Sequence, residues 1–171
     1  MIQIIKATIK HSELIAEIGK QSFLESHGNS ASKEDVNHFI LKTYNKDAIS
    51  KEFGNPKVQY HIIYLNYKAA GFSKIELNTS NNCINDLNVT KLDRLYLLKK
   101  YYGQNLGSKL FDFNIQFSKK HNQKGIWLAV WLENQRAINF YIKKGFKIVG
   151  KYNFKISESH SNPNHIMYLK Y

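Results

Sequence analysis

The residues best suited to chemistry lie in two segments of the second half of the chain. The first, residues 95–110, reads as an apolar strand, a turn that contains Gly103 and Gly107, and the beginning of an amphipathic helix. Such a turn directs several backbone N–H groups and the positive end of a helix at one point, which suits a bound phosphate. The second segment, residues 127–146, combines a strand with a helix that carries polar and aromatic side chains. Together they predict a site that holds a phosphorylated cofactor and does proton chemistry beside it.

Strands and helices that alternate along the chain must position these two segments. The β-rich runs predict strands over residues 1–8, 58–65, 69–77, 91–98, 126–131, 146–150 and 165–171. Ser12 and Ser32 are good caps for two helices, and a short third helix is suggested over 47–53. Apolar spacing predicts one more helix from Leu106 and another over 134–144. This order predicts a mixed α/β sheet with helices on both faces.

Composition favours one globular domain over residues 1–171. The chain is 43% hydrophobic, enough for a packed core, and no apolar run approaches the roughly 18–20 residues of a membrane span. The first residues alternate like a strand and lack a signal-peptide pattern. Cys83 is the only cysteine, so no internal disulfide can form. These features fit a reducing cytoplasm.

The net positive charge of the chain does not identify its class of binding partner. Lys and Arg total 25 against 13 Asp and Glu, a formal net charge of +12. Such a surplus attracts nucleic acid, anionic lipid or phosphorylated ligands without choosing among them. The basic residues are spread along the chain, so a solvated lysine-rich surface is expected rather than a nucleic-acid partner. The histidines show no metal-ligand spacing, and no metal is predicted.

The turn after the fourth predicted strand resembles the cofactor motif of the GNAT superfamily of acyl-CoA-dependent N-acetyltransferases. The family pattern, Gln/Arg-x-x-Gly-x-Gly/Ala, aligns with residues 102–107. Tyr102 stands in place of Gln/Arg, and Asn105 stands in place of the first glycine. Asn tolerates a positive φ better than most residues, so Asn105 can keep the turn.

The second segment carries the more specific part of the resemblance, which covers nearly the whole chain. It matches the family pattern of a strand followed by Asn134, Ala137, Phe140-Tyr141 and Gly145-Phe146. Within the superfamily, the Trp-Leu-x-Val-Trp strand at 127–131 and the tail from 150 to 167 look most like PaiA-type spermine/spermidine acetyltransferases.

The resemblance implies a mostly antiparallel sheet of about seven strands whose fourth and fifth strands splay apart to hold acetyl-CoA. Backbone groups along the pantetheine arm would come from Leu95, Tyr96, Leu97 and Leu98, with the N–H near Leu97 polarising the thioester carbonyl. Backbone N–H groups for the pyrophosphate would come from Tyr102, Gly103, Gln104, Asn105, Leu106, Gly107 and Ser108, with charge added by Lys109. Asn134 would bond the pantetheine, and Ala137 would leave room for it.

The resemblance also implies direct attack by an amine, with Tyr141 as general acid. A phenol of pKa ~10 is protonated at neutral pH and can donate to a departing thiolate of pKa ~8.5. The alternative for Tyr141 is an ordinary core aromatic. Asp93 is the first candidate for the base, because a period of two places it on the face of Leu95 and Leu97. Its alternative is a carboxylate paired with Arg94 or a neighbouring lysine.

Candidates for the acceptor site come from the end of the first helix and from the fifth strand. Glu25 and His27 border this site by resemblance, although either can be an ordinary helix-end group. Trp127 and Trp131 share a face with Ala129 and are expected to pack under a helix, with an aromatic wall for a polyamine as the alternative.

The leading hypothesis is therefore an N-acetyltransferase that moves an acetyl group from acetyl-CoA to a primary amine, with spermidine or spermine favoured. Acidic residues near the N-terminal helices could supply the patch that a polycation needs: Glu13, Glu17, Glu25, Glu34 and Asp35. The alternatives are a protein N-terminus, a lysine or an aminoglycoside as acceptor, or a non-catalytic module that binds acyl-CoA or nucleic acid. A homodimer is possible, as in many members of this family.

Overall fold

The computed structural model describes residues 1–171 and contains seven strands and five α-helices. The strands are β1 (Ile2–Lys6), β2 (Val58–Leu65), β3 (Lys68–Glu76), β4 (Thr90–Leu97), β5 (Gly125–Trp131), β6 (Lys147–Lys155) and β7 (Ser161–Lys170). The helices are α1 (Ser12–His27), α2 (Lys33–Thr43), α3 (Lys46–Glu52), α4 (Leu106–Lys120) and α5 (Gln135–Lys143), with short 3-10 helices at Ile9–His11 and Lys99–Tyr101.

All strands join one sheet in the order β1-β2-β3-β4-β5-β7-β6, and every neighbouring pair is antiparallel except β4 with β5. The parallel pair is joined only at its beginning, where Thr90 lies opposite Ile126 and Lys91 lies opposite Trp127. Beyond these residues the two strands separate. The predicted mixed sheet with splayed fourth and fifth strands is confirmed.

Apolar side chains cover both faces of the sheet. The neighbouring residues Ile62 and Ile63 of β2 are fully buried in different clusters, because successive strand residues point to opposite faces. Ile62 packs with the cluster formed by α1, α2 and α3, whereas Ile63 packs with Leu106 and Leu110 of α4. Helices therefore lie on both faces, as predicted.

Local signals explain most element boundaries. The side chain of Ser32 accepts a hydrogen bond from the Asp35 N–H at 3.1 Å, so α2 has the predicted N-cap. Asn66 and Tyr67 have φ of 47° and 64°, the backbone of a two-residue turn that connects β2 to β3. Ser12 instead lies inside α1, because its hydroxyl donates to the Ile9 carbonyl at 2.7 Å and extends the preceding turn.

The last two strands are longer than predicted. The edge strand β6 runs nine residues and β7 ten, whereas apolar patterning indicated only residues 146–150 and 165–171. Most side chains of β6 are exposed, so its sequence carries little hydrophobic signal. Backbone pairing with β7 from Lys147 to Lys155 holds the strand in place. No helix has the length and apolar character required to cross a bilayer.

Candidate active site

A cavity of about 630 Å³ occupies the gap where β4 and β5 separate. One end is lined by the turn before α4 and by the first turns of α5, and the other end reaches α1, β6 and β7. Most of the residues predicted to act lie along this one cavity, although they are far apart in the sequence. The gap therefore brings the two chemical segments together.

The backbone of β4 offers polar groups to the gap at alternate residues only. The Leu98 N–H donates to the Ala70 carbonyl at 3.0 Å, which ties this position to β3. Because backbone groups alternate between the two sides of a strand, Tyr96 also points its groups at β3, while Leu95 and Leu97 point theirs into the gap. The predicted backbone contacts of Tyr96 and Leu98 are thus wrong; Tyr96 lines the cavity with other atoms, and Leu98 is buried in the core.

The turn before α4 keeps a left-handed backbone without the first motif glycine. Asn105 has φ of 58° and ψ of 12° and is the N-cap residue of α4, and Gly103 also has positive φ at 78°. None of the consecutive N–H groups from Gly103 to Ser108 donates to a protein acceptor. A row of free N–H groups at a helix N-terminus is a site for an anion.

Two predicted contributors at this turn lie outside that row. The Tyr102 N–H donates to the Lys99 carbonyl at 3.0 Å and is not free for a ligand, although Tyr102 itself lines the cavity. Lys109 and Gln104 are exposed, and neither lines the cavity.

Arg136 is a candidate that sequence reasoning missed. Its guanidinium lies 3.6 Å from the ring centroid of Tyr102, and both residues line the cavity. Tyr102 replaces the polar residue of the family motif, and Arg136 of α5 brings a positive charge to the same place. The only signal in the sequence was the position of Arg136 two residues after Asn134.

The start of α5 supplies a further polar group. Asn134 caps this helix, since its Oδ1 accepts a hydrogen bond from the Ala137 N–H at 3.2 Å. Its Nδ2 has no protein acceptor and is available to a ligand carbonyl. Ala137 lines the cavity beside it, where its small side chain leaves space.

Tyr141 lies deeper in the same cavity and is 8% exposed. Its ring packs edge-on against Phe140 and Phe146. Its hydroxyl makes no hydrogen bond to another protein group. Burial, helped by Tyr96, raises the pKa of Tyr141 well above its ordinary value, so the phenol stays protonated. The geometry is that of an available proton donor.

Asp93 does not share the face of Leu95 and Leu97, contrary to the prediction. Residues 74 and 75 of β3 are consecutive, but their partners on β4 are Arg94 and Leu92, so Asp93 is an extra residue in a β-bulge. The bulge shifts the alternation by one residue. Leu95 and Leu97 pack beside α4, whereas Asp93 turns toward the charged side chains on the other face.

The carboxylate of Asp93 is committed to ion pairs. It lies 3.1 Å from Lys74 Nζ, 2.6 Å from Lys91 Nζ and 3.6 Å from Arg94 Nε. Burial alone would raise the pKa of Asp93, but these positive charges outweigh it and hold the pKa far below its ordinary value. Asp93 lines the cavity, yet so weak a base is a poor proton acceptor.

Of the two acceptor-site candidates of α1, only one lies at the cavity. His27 lines the cavity, stacked on Phe23 at 4.8 Å between ring centroids, and burial lowers its pKa to about 4. Glu25 does not line the cavity, because its carboxylate accepts hydrogen bonds from the Lys99 N–H and from Gln21. The prediction that Glu25 contacts substrate is therefore not supported.

The tryptophans and the predicted acidic patch also differ from expectation. Trp127 packs under the segment between β3 and β4 rather than under a helix, and its Nε1–H donates to the Thr79 carbonyl at 2.7 Å. Trp131 lies beside His27, with ring centroids 5.6 Å apart. None of the acidic residues proposed for a polycation lines the cavity: Glu13, Glu17, Glu25, Glu34 and Asp35.

Comparison with known proteins agrees with this arrangement. The sequence model of the acetyltransferase (GNAT) family matches residues 21–146. An uncharacterized N-acetyltransferase of Lactobacillus delbrueckii subsp. lactis is 26% identical over 157 residues, which cover 92% of this chain and 91% of that protein. The spermidine N(1)-acetyltransferase of Thermoplasma acidophilum is 26% identical over 154 residues, covering 86% and 89%.

Solved structures have the same fold. The PaiA N-acetyltransferase of Thermoplasma acidophilum in complex with coenzyme A superposes with a TM-score of 0.80. Its sequence is 23% identical, and the superposition covers all of this chain and 99% of that one.

Proposed function

The chain belongs to the acetyltransferase (GNAT) family, and we propose that it transfers the acetyl group of acetyl-CoA to a primary amine. One observation carries the proposal: a single cavity is lined by Gly103 and residues 105–108, whose backbone N–H groups are free, by the open edge of β4 and by Tyr141, whose hydroxyl has no protein partner. The coenzyme A bound by the Thermoplasma structure supports the same cofactor for this chain.

The residues present fit this cofactor. Its pyrophosphate would accept from the N–H groups of residues 103–108, with Arg136 adding positive charge. Its pantetheine arm would pair with the backbone of Leu95 and Leu97 and accept a hydrogen bond from Asn134 Nδ2. When bound, acetyl-CoA supplies an activated thioester.

Two groups of this chain would assist the transfer. The Leu97 N–H would donate to the acetyl oxygen, where negative charge develops as the amine attacks. Tyr141 would give its phenolic proton to the sulfur as the carbon–sulfur bond breaks. No acyl-enzyme is required, which agrees with Cys83 being exposed in a loop and absent from the cavity lining.

The acceptor, the domain organisation, the cellular location and the oligomeric state stay predictions. The Thermoplasma spermidine acetyltransferase supports a polyamine acceptor, but the cavity has no free carboxylate to hold one. We also propose that residues 1–171 act as one domain in the cytoplasm, and that a homodimer is the form to look for.

The test combines binding with turnover. Calorimetry with acetyl-CoA measures cofactor affinity, and release of the CoA thiol measures transfer to a panel of polyamines, monoamines, lysine, a peptide with a free N-terminus and an aminoglycoside. Binding together with turnover of any amine supports the proposal. Binding without turnover would instead favour a non-catalytic acyl-CoA module, and salt-sensitive nucleic-acid binding without acetyl-CoA binding would favour the remaining alternative.

A further inference from the structure

The acceptor end of the cavity is aromatic and offers no free negative charge. Its walls include Trp127, Trp131, Tyr152 and Phe154, and the only carboxylate among the lining residues is that of Asp93. Aromatic walls favour an apolar body, and their faces also attract a single cation.

The charge of Asp93 is neutralised within a buried cluster. Lys74 Nζ lies within 3.1 Å of three carboxylates, and Arg94 pairs with one of them at 3.0 Å. With Lys91 included, the cluster has equal numbers of positive and negative groups: Lys74, Lys91, Arg94, Glu52, Glu76 and Asp93. Each ammonium of a polyamine that enters the cavity beyond the reacting one would therefore lose water without gaining a counter-ion.

His27 lines the cavity at this end. The Ser26 hydroxyl lies 2.7 Å from both the Ser22 carbonyl and His27 Nδ1, and its single proton can serve only one of them. We assign that proton to the Ser22 carbonyl, which can only accept, so that Nδ1 donates to Ser26 and Nε2 carries the lone pair. Nε2 has no protein partner and is not enclosed. The Phe23 and Trp131 rings contact the imidazole, and no charged group does so.

We infer, on the basis of the proposed acetyl transfer, that the acceptor is a monoamine with an aromatic or aliphatic body, oriented by a hydrogen bond from its nitrogen to His27 Nε2. The nitrogen lone pair forms the new carbon–nitrogen bond while the carbon–sulfur bond breaks. The amine reacts as its free base, so one proton leaves the ammonium for solvent before the attack. The sulfur takes the proton of Tyr141, and the phenolate regains a proton from solvent. The second surplus proton becomes far more acidic once the nitrogen is bonded to the carbonyl carbon, and it passes through His27 Nε2 to solvent.

Matched acceptors test the substrate class. Butylamine and 1,4-diaminobutane differ by one ammonium, and 2-phenylethylamine adds an aromatic body; spermidine represents the polyamines. The kcat/KM for thiol release should be at least about tenfold higher for butylamine than for 1,4-diaminobutane, and for 2-phenylethylamine than for spermidine, a difference of about 1.4 kcal/mol. Spermidine or 1,4-diaminobutane as the better substrate would overturn the inference and leave the proposed function intact. Acetyl-CoA binding without turnover of any monoamine would also overturn it, whereas absence of acetyl-CoA binding would refute the proposed function itself.

Variants test the orienting group. His27→Phe keeps the aromatic stack but removes the lone pair, and should lower kcat/KM for the amine at least about tenfold while acetyl-CoA affinity and Tm stay near wild type. His27→Gln returns an acceptor oxygen near the position of Nε2 and should restore part of the loss, which a packing role would not explain. His38→Phe, at an exposed position on α2, is the matched control. Wild-type kcat/KM in His27→Phe would exclude His27 as the orienting group.

Discussion

Replacing Tyr141 by Phe separates a catalytic hydroxyl from a packing ring. The substitution removes one oxygen and keeps the ring between Phe140 and Phe146. Because the hydroxyl makes no hydrogen bond to the protein, folding loses no such bond. The free energy of unfolding should change by less than about 1 kcal/mol.

The rate should change far more than the stability. A positioned general acid contributes roughly 10²–10⁴ to the rate, so Tyr141→Phe should lower kcat by that factor, or about 3–5 kcal/mol in the activation barrier. Acetyl-CoA affinity should remain within about twofold of wild type. Because burial raises the pKa of Tyr141, wild-type kcat should not fall as the pH approaches the ordinary phenol value of about 10.

The assay is steady-state thiol release with the best amine, combined with acetyl-CoA calorimetry and thermal unfolding. Tyr67→Phe is the matched control, because Tyr67 is 80% exposed at the β2–β3 turn and lies away from the cavity. Full kcat in Tyr141→Phe would refute the proposed acid and leave Tyr141 as a core aromatic. A large loss of Tm would show instead that the hydroxyl has a structural partner.

Three further predictions follow from single residues. Asn105→Ala should destabilise the protein by about 1 kcal/mol in urea unfolding, because alanine is strained at positive φ, whereas Asn105→Gly should be nearly neutral; equal losses would contradict this. Arg136→Ala should weaken acetyl-CoA binding about tenfold, less at high salt, while Lys143→Ala on the same helix should not; equal effects would show that only the overall charge matters. Burial lowers the pKa of His61 from 6.5 to about 4. Neutral His61 therefore contributes about 3 kcal/mol to the free energy of unfolding, and this contribution is complete above pH 6.5 and is lost as the pH falls toward 4. His61→Leu should remove about half of the measured loss of stability, since His27 has the same shift, and an unchanged pH dependence would contradict this.

Features with local causes were predictable from the sequence. The N-cap at Ser32 and the turn at residues 66–67 depend on neighbours a few residues away. The positive φ of Asn105 follows from the intrinsic tolerance of asparagine for that backbone. The strand after Gly125 and the helix capped by Asn134 were predicted to within about one residue because their apolar patterns are strong.

Two of the errors in the site have a long-range cause. A period of two placed Asp93 on the same face as Leu95. The pairing of β4 with β3 introduces a bulge at Asp93, which the sequence of β4 alone does not predict. Leu98 lost its predicted contact because its N–H is used by Ala70, which lies far away in the sequence.

The sequence by itself determined the family, the backbone of the turn at residues 102–107 and the elements apart from the full length of β6 and β7, because these depend on periodicity, motif and local conformational preference. Only the tertiary structure decided which groups are free to act. It brought Arg136 onto Tyr102, neutralised Asp93 with Lys74, and left Nε2 of His27 open to the cavity. Availability of a lone pair or an N–H depends on partners brought together by folding, and sequence spacing does not encode those partners.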